Sequence, residues 1–407
     1  MTARTAALYN SVVKHNAFRT VVYAFLGMSI AALSACGSSS AAPSASAPAA
    51  SPASASAGAS GAGNAQAKWD ALVAAAKKEG KITLAVAPGG GASAREVIPP
   101  AFKQAFGIDV EVLVGPSSQL VERLKLEQSS GIHSVDVAIG GADTMYSSFY
   151  GDKLIAPVKD QLIRPEVMNP ASWTIGHPWF MDPEEQSILR ISSGLSGFTA
   201  INTNLVKAAD LTSSSDFLKP EYKGKIAVFD PTINGSGGQH ASYMLIKLGP
   251  DFVKKLYVDQ QPVKTQDNRQ FSDWVGRGNY PIGWGMNPAN IEGLKADKLP
   301  VRELPTLKDV QPYLTGGSGL MVELKEPPHP NAAAVFLNWM AMPEGNAVYN
   351  KAIQMVSPLT TVKSDWVPDY VQPKAGVDYL DTYGWDYSLK TYPEAFKQLR
   401  QLLGASA

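Results

Sequence analysis

Residues 69–91 read WDALVAAAKKEGKITLAVAPGGG, and the fold class follows from the way this stretch repeats along the chain. Trp69 to Glu79 carries apolar residues at helical spacing and meets a stop at Gly80. Lys81 to Ala87 is a short apolar run, the signature of a strand buried on both faces. Pro88 to Gly91 reads as a loop. A helical stretch through Phe102 and Phe106 then ends at Gly107, and Ile108 to Val114 alternates like a second strand. Gln119 to Gln128 is the next helix, opened by Pro116-Ser117-Ser118, and Val135 to Ile139 is a third strand ending at Gly140-Gly141. Strand, loop and helix in repetition predict an α/β layer with a mostly parallel sheet.

A second α/β set follows. Its strands are Gly197–Asn202, Lys225–Phe229, Tyr280–Trp284 and Gly319–Leu324, with a helix from about Gln239. Asn331 to Met340 is a helix, Glu344-Gly345 begins the next, and Tyr392 to Leu403 is the last. In open α/β sheets, ligands bind outside the carboxyl ends of the strands. Those ends place Gly90, Gly91 and Ser93, then Ser117 and Ser118, then Gly141, in a first candidate wall. Thr232, Asn234, Ser236 and Gly237 precede a helix in a second. Exposed amides and a helix dipole there favour a carboxylate or phosphate. Arg269 could clamp an anion through two parallel hydrogen bonds, and Trp284 could stack on a flat or sugar-like ligand. The bland readings are tight turns for the glycine loops and a surface salt bridge for Arg269.

The first 36 residues have the plan of an export signal. Arg4, Lys14 and Arg19 precede an apolar run, Val21 to Leu33, which is short for a spanning helix of about 20 residues. It ends in Leu33-Ser34-Ala35-Cys36-Gly37, and Cys36 is the only cysteine in the chain. Residues 37–67 are almost entirely Ala, Ser, Pro and Gly, which predicts a disordered tether. The Leu-Ser-Ala-Cys segment resembles the lipobox of bacterial lipoproteins. That resemblance implies acylation of Cys36, palmitate being the typical chain, and attachment to a membrane.

Charge excludes another class. Lys plus Arg equals Asp plus Glu, at 36 each, and no basic run is present, so nothing marks a nucleic-acid surface. His133, His177, His240 and His329 are dispersed without metal-ligand spacing, so no metal centre and no cofactor are expected. The chain lacks GxSxG, GxxxxGK[ST] and HExxH, and Glu184-Glu185 reads as a solvated pair, so no catalysis is expected.

The order of elements resembles family 1 extracellular solute-binding proteins, the periplasmic-binding-protein-like class. The stretches that carry the resemblance are AAAKKEGKITLAV (74–86), AFKQAFGIDVEV (101–112), SVDVAIGG (134–141), YKGKIAVFDPTINGSGG (222–238) and PHPNAAAVFLNWMAMPEGN (328–346). The resemblance implies a two-lobed type II α/β fold with a ligand cleft between the lobes. It implies a monomer that captures a small-molecule solute by lobe closure and serves ABC permease and ATPase subunits outside the cytoplasm. A ligand-sensing receptor needs the same closing cleft. The lobes should comprise residues 68–190 plus 318–357, and 191–317 plus 358–407, with crossings near 192–199, 313–320 and 357–359. Ferric-iron members hold metal through two adjacent tyrosines. The matching loop here is Trp284-Gly285-Met286-Asn287-Pro288, and no Tyr-Tyr pair occurs in the chain, which argues against iron. The leading expectation is a small organic anion carrying carboxylate, phosphate or phosphonate. The alternative is a cationic solute, polyamine or thiamine, for which Asp143 and Asp230 are the well-placed carboxylates. Trp173, Trp179 and Phe180 either cap the cleft or belong to the core.

Overall fold

A computed structural model describes residues 56–115 and 117–405. The export signal, Cys36 and residues 37–55 of the tether lie outside the described residues. In chain order, α1 (Ser56–Glu79) leads into β1 (Lys81–Val86), α2 (Pro88–Phe106), β2 (Asp109–Val114), α3 (Ser117–Ser129), β3 (Val137–Gly140) and β4 (Ile155–Ala156). Next come α4 (Pro165–Met168), β5 (Leu189–Arg190), β6 (Leu195–Ser196), β7 (Phe198–Asn202), β8 (Ile226–Phe229) and α5 (Ser236–Lys254). They are followed by β9 (Val263–Thr265), α6 (Asn268–Gly276), β10 (Ile282–Met286), α7 (Pro288–Ala296) and β11 (Val301–Glu303). Last are β12 (Tyr313–Leu314), β13 (Leu320–Leu324), α8 (Pro330–Ala341), α9 (Pro343–Ala352) and α10 (Tyr392–Leu402).

Two expectations are corrected at the start of the chain. Residues 56–67 belong to α1 instead of the tether. Alanine recurs through them, and Arg164 donates to Gln66 and lies over the Trp69 ring, giving the helix a tertiary anchor. Residues 88–91 form the first turn of α2 instead of a loop, because the fixed φ of Pro88 suits a helix start.

The first sheet has the order β2-β1-β3-β13-β4, with β5 beside β13. β1 pairs in parallel with β2 and β3, and β13 returns antiparallel to β3. Both faces are covered. Ile82, Leu84 and Val86 pack with Phe102, Phe336 and Trp339 on one side, while Ala85, Ala138 and Val322 pack with Tyr146 and Phe149 on the other. This double burial is why β1 reads as a continuous apolar run.

The motifs quoted above meet at one end of this sheet's central strands. The Asp136 carboxylate accepts from the Thr83 amide (2.7 Å) and the His329 amide (2.7 Å), and it lies 3.0 Å from His329 Nδ1. Glu79 caps α8, accepting from the amides of Asn331 and Ala332 and from the Asn331 side chain. On β13, Glu323 is buried and accepts from Gln161. Burial raises its carboxyl to about 7 against the partial relief given by Gln161, with Asp136 adding to the rise. A carboxyl raised in the folded state keeps a proton that the unfolded chain has released. Stability should therefore fall as pH rises from about 4.5 to about 7 and then level off, by roughly 1 kcal/mol per pH unit at most. Urea titrations across that range should show this slope reduced in Glu323→Gln; an unchanged slope would rule out Glu323 as its source.

The second sheet runs β11-β7-β10-β8-β9. α5 covers one face, with Ile201, Val228, Ile282 and Trp284 beneath it, and Phe271, Val275 and Ile291 cover the other. The chain passes between the sheets from Arg190 to Phe198 and back from Leu314 to Leu320, where β6 and β12 pair antiparallel. Asn346 and Asn350 of α9 both donate to the Ile191 carbonyl, and Ser193 bridges Val356. The expected lobe boundary at residue 357 is corrected. Leu359 is buried in the first core with Val362 packed against it, and Tyr383 is buried in the other cluster of the same sheet. The C-terminal segment thus contributes apolar side chains to both lobes.

Candidate solute cleft

A cleft of about 560 Å³ opens where the strand ends of the two sheets face each other across the β6/β12 crossing. Gly141, Ala142, Asp143 and Thr144, just past β3, form part of its first-lobe wall. From the second lobe come Asn234, Gly235 and Ser236 at the start of α5, and Asn287, Pro288, Ala289 and Asn290 at the start of α7. Neither helix has a side-chain cap at its N-terminus. An uncapped N-terminus presents amide donors and partial positive charge to whatever lies beyond it. The Asn290 side-chain Nδ2 is buried without a partner among the described residues. Among the described residues, the lining contains one charged side chain, Asp143, and four tyrosines: Tyr313, Tyr383, Tyr387 and Tyr392.

The local sequence explains the α5 end. Asp230 accepts from the amide and hydroxyl of Thr232 and from Gln266, which folds the loop after β8 back on itself. Gly237 lies so close that a Cβ there would stand 2.4 Å from the Asp230 carbonyl oxygen. At Gly238 a Cβ would stand 2.6 Å from the Phe396 ring. The glycines in INGSGG therefore allow close approach of loop and α10, and they also leave the helix start open to the cleft.

Of the residues expected from sequence, Gly141, Asn234 and Ser236 line the cleft. Gly90 lies behind the wall, against Tyr349, Ser318 and Ile353, and Gly91 packs on Val114. Ser93 sits half-buried in α2, and Ser117 and Ser118 open α3. Thr232 and Gly237 shape the loop behind Ser236, as does Asp230. Arg269 is exposed in the first turn of α6, where its amide is capped by Asp267, and it is not in the cleft. The stacking role for Trp284 is corrected: it is 2% exposed, packed edge-on to Phe217 at 4.6 Å beneath α5. β10 turns that side chain toward the core because strand side chains alternate. Trp173 and Phe180 are likewise core, and Trp179 covers Arg190. His240 is fully enclosed between Trp284 and Tyr313, and burial lowers its imidazole to about 3, so it stays neutral.

Sequence reading missed the Asn287–Asn290 contribution and all four tyrosines. Asn287 follows β10 and obeys the strand-end rule applied elsewhere, so that signal was available. The tyrosines carry no local signal; Tyr383 reaches the cleft from a loop, Tyr387 from a π-helical turn and Tyr392 from the start of α10. Burial raises the phenols of all four, Tyr383 to about 12. Tyr392 donates to Asn234 (2.8 Å) and Tyr383 to the Gly317 carbonyl.

The model of a bacterial extracellular solute-binding protein family matches residues 100–375. The chain belongs to that family. No curated protein sequence matches this solute-binding protein. Its fold is similar to that of iron-bound HitA from Pseudomonas aeruginosa, with a TM-score of 0.58 at 18% identity over 79% of this chain and 99% of the other. It is similar to Trichodesmium IdiA (FutA) in complex with iron and citrate, with a TM-score of 0.60 at 17% identity over 80% and 100%. AfuA from Actinobacillus pleuropneumoniae, with fructose-6-phosphate bound, superposes with a TM-score of 0.56 at 15% identity over 80% and 99%. The solute-binding protein therefore has the two-lobed periplasmic-binding-protein fold; it is of the ABC-importer type and is not an enzyme. Among the described residues, no helix is long and apolar enough to cross a membrane, and no group of three or more His, Cys, Asp or Glu is placed to hold a metal ion.

Proposed function

We propose that this protein is the lipid-anchored capture subunit of an ABC-type importer and that its solute is a small organic anion bearing carboxylate, phosphate or phosphonate. The observation that carries the anion reading is the pair of uncapped helix N-termini, α5 and α7, that open on one wall of the cleft. No Lys or Arg stands in the described lining, so these ends and the Asn290 amide supply the positive potential and the donors. Cys36 and the charged, apolar and small-residue order before it support the anchor. Ferric iron fits less well, because hard Fe³⁺ needs several anionic oxygens and Asp143 is the one carboxylate of the described lining.

A second reading has its own observation. Asp143 is the charged side chain of the lining, and tyrosine faces beside a carboxylate suit an ammonium group. Asp230 does not join it, since that carboxylate is used in its own loop. Native mass spectrometry of the full chain, followed by thermal shifts with citrate, inorganic phosphate and glycerol 3-phosphate against spermidine and thiamine, separates the two. Stabilisation by at least one anion is expected. Stabilisation by spermidine or thiamine alone would replace the anion reading, and a bound ferric ion would refute the argument against iron. In cell fractions the chain should sit with membranes and Cys36→Ala should not; equal partitioning would remove the anchor.

A further inference from the structure

The family match ends at residue 375, yet part of the cleft wall comes from the chain beyond it. That later segment starts on the second lobe, where Tyr379 packs against the Phe271 and Val275 cluster. It then runs along the crossing. The Leu314 amide donates to the Leu380 carbonyl at 2.9 Å, and the Thr382 amide donates to the Leu314 carbonyl at 2.9 Å. Trp385 reaches the first lobe, with ring centroids 4.8 Å from Tyr146 and 4.9 Å from Tyr150. The chain returns to the second lobe through α10, whose Ala395 and Leu399 are buried there. Residues 379–392 are thus a strap that touches both lobes, and Thr382, Tyr383, Tyr387, Ser388 and Tyr392 of it line the cleft.

The hydroxyls of these tyrosines differ in one respect. Tyr383 donates to Gly317 and Tyr392 donates to Asn234. Tyr387 is 7% exposed, and its hydroxyl has no partner among the described residues. Its ring is stacked toward Tyr392 at 6.3 Å and 24°, so the side chain is held by packing and not by a hydrogen bond. A buried hydroxyl without a partner carries a desolvation penalty that a ligand acceptor can relieve.

We propose that the strap is a specificity element of the cleft and that Tyr387 is its solute contact, donating its hydroxyl to an acceptor oxygen of the bound anion. This rests on the reading of the cleft as the anion site. It adds that selectivity is set in part outside the family-matched region, by a residue whose hydroxyl is idle until solute arrives.

The test is Tyr387→Phe in the full chain. Calorimetric titration with citrate, inorganic phosphate, glycerol 3-phosphate and spermidine is paired with the melting temperature of the solute-free protein. The variant should melt at or above the wild-type temperature, since the lost hydroxyl has no protein partner. Its affinity for whichever anion the wild type binds most tightly should fall about tenfold. Unchanged affinity would overturn the role of Tyr387 and leave the anion cleft standing. A melt several degrees lower would show that the hydroxyl serves the fold, and would overturn the role as well. Wild-type binding of spermidine alone, which offers no acceptor oxygen, or of none of the four, would overturn the anion cleft and this inference together.

Discussion

Asp381→Asn should destabilise the protein by about 3–5 kcal/mol, the cost typical of stranding one partner of a buried ion pair. The pair is asymmetric. Arg190 is completely buried, whereas the Asp381 side chain keeps 25% of its exposure, and the two meet at 2.6 Å. The guanidinium also donates to the Ser192 carbonyl, and its centre lies 4.1 Å over the Trp179 ring and 5.5 Å from the Tyr383 ring. Neutralising Asp381 leaves that cation in a low-dielectric site with only neutral neighbours in contact. Removing the cation instead, by Arg190→Met, leaves a carboxylate that can still reach water, so the loss should be smaller. The double variant should recover part of the Asp381→Asn loss. Urea unfolding of the three proteins checks the order, and an Asp381→Asn loss under about 1 kcal/mol would show that the pair does not hold the structure. The same bond joins β5 of the first sheet to the strap that carries Tyr387, so a loss of solute affinity should accompany the loss of stability.

Trp284→Ala should also cost about 3–5 kcal/mol, as large-to-small changes at buried aromatics do. The ring packs with Phe217, His240 and Phe252 under α5, and nothing of it lies in the cleft lining. Trp284→Phe preserves part of that packing and should fold. Its solute affinity should stay within about twofold of wild type, because α5 keeps its seat on the sheet. A Trp284→Phe protein of native stability that had lost its solute would restore the stacking role that the sequence suggested.

The contrast between Trp284 and Ser236 shows where reading the sequence works. Both were picked from sequence as cleft candidates. Ser236 is at the first turn of a helix that must start at the cleft, so its place follows from local structure. Trp284 is inside a strand, and which face it takes depends on the sheet's two coverings, α5 on one side and the α6–α7 layer on the other. Arg269 failed for a similar reason: its position at a helix start is local, but which way that helix faces is tertiary. The motif around His329 went the other way. Its residues identify a family scaffold in the sequence, and the structure supplies the cause, an Asp136 and Glu79 network that ties α8 to one end of the first sheet's central strands.

By itself the sequence determined the alternation of strands and helices and the two α/β sets. Both rest on spacing and backbone preference within a few residues. Only the tertiary structure decided that, of the two carboxylates picked from sequence, Asp143 and not Asp230 faces the cleft, that four tyrosines separated by as many as 79 positions (313 to 392) share it, and that the C-terminal segment straps both lobes. Those outcomes depend on burial of apolar side chains such as Trp385 and Leu399 against distant elements, and no periodicity records which distant surface such a side chain will meet.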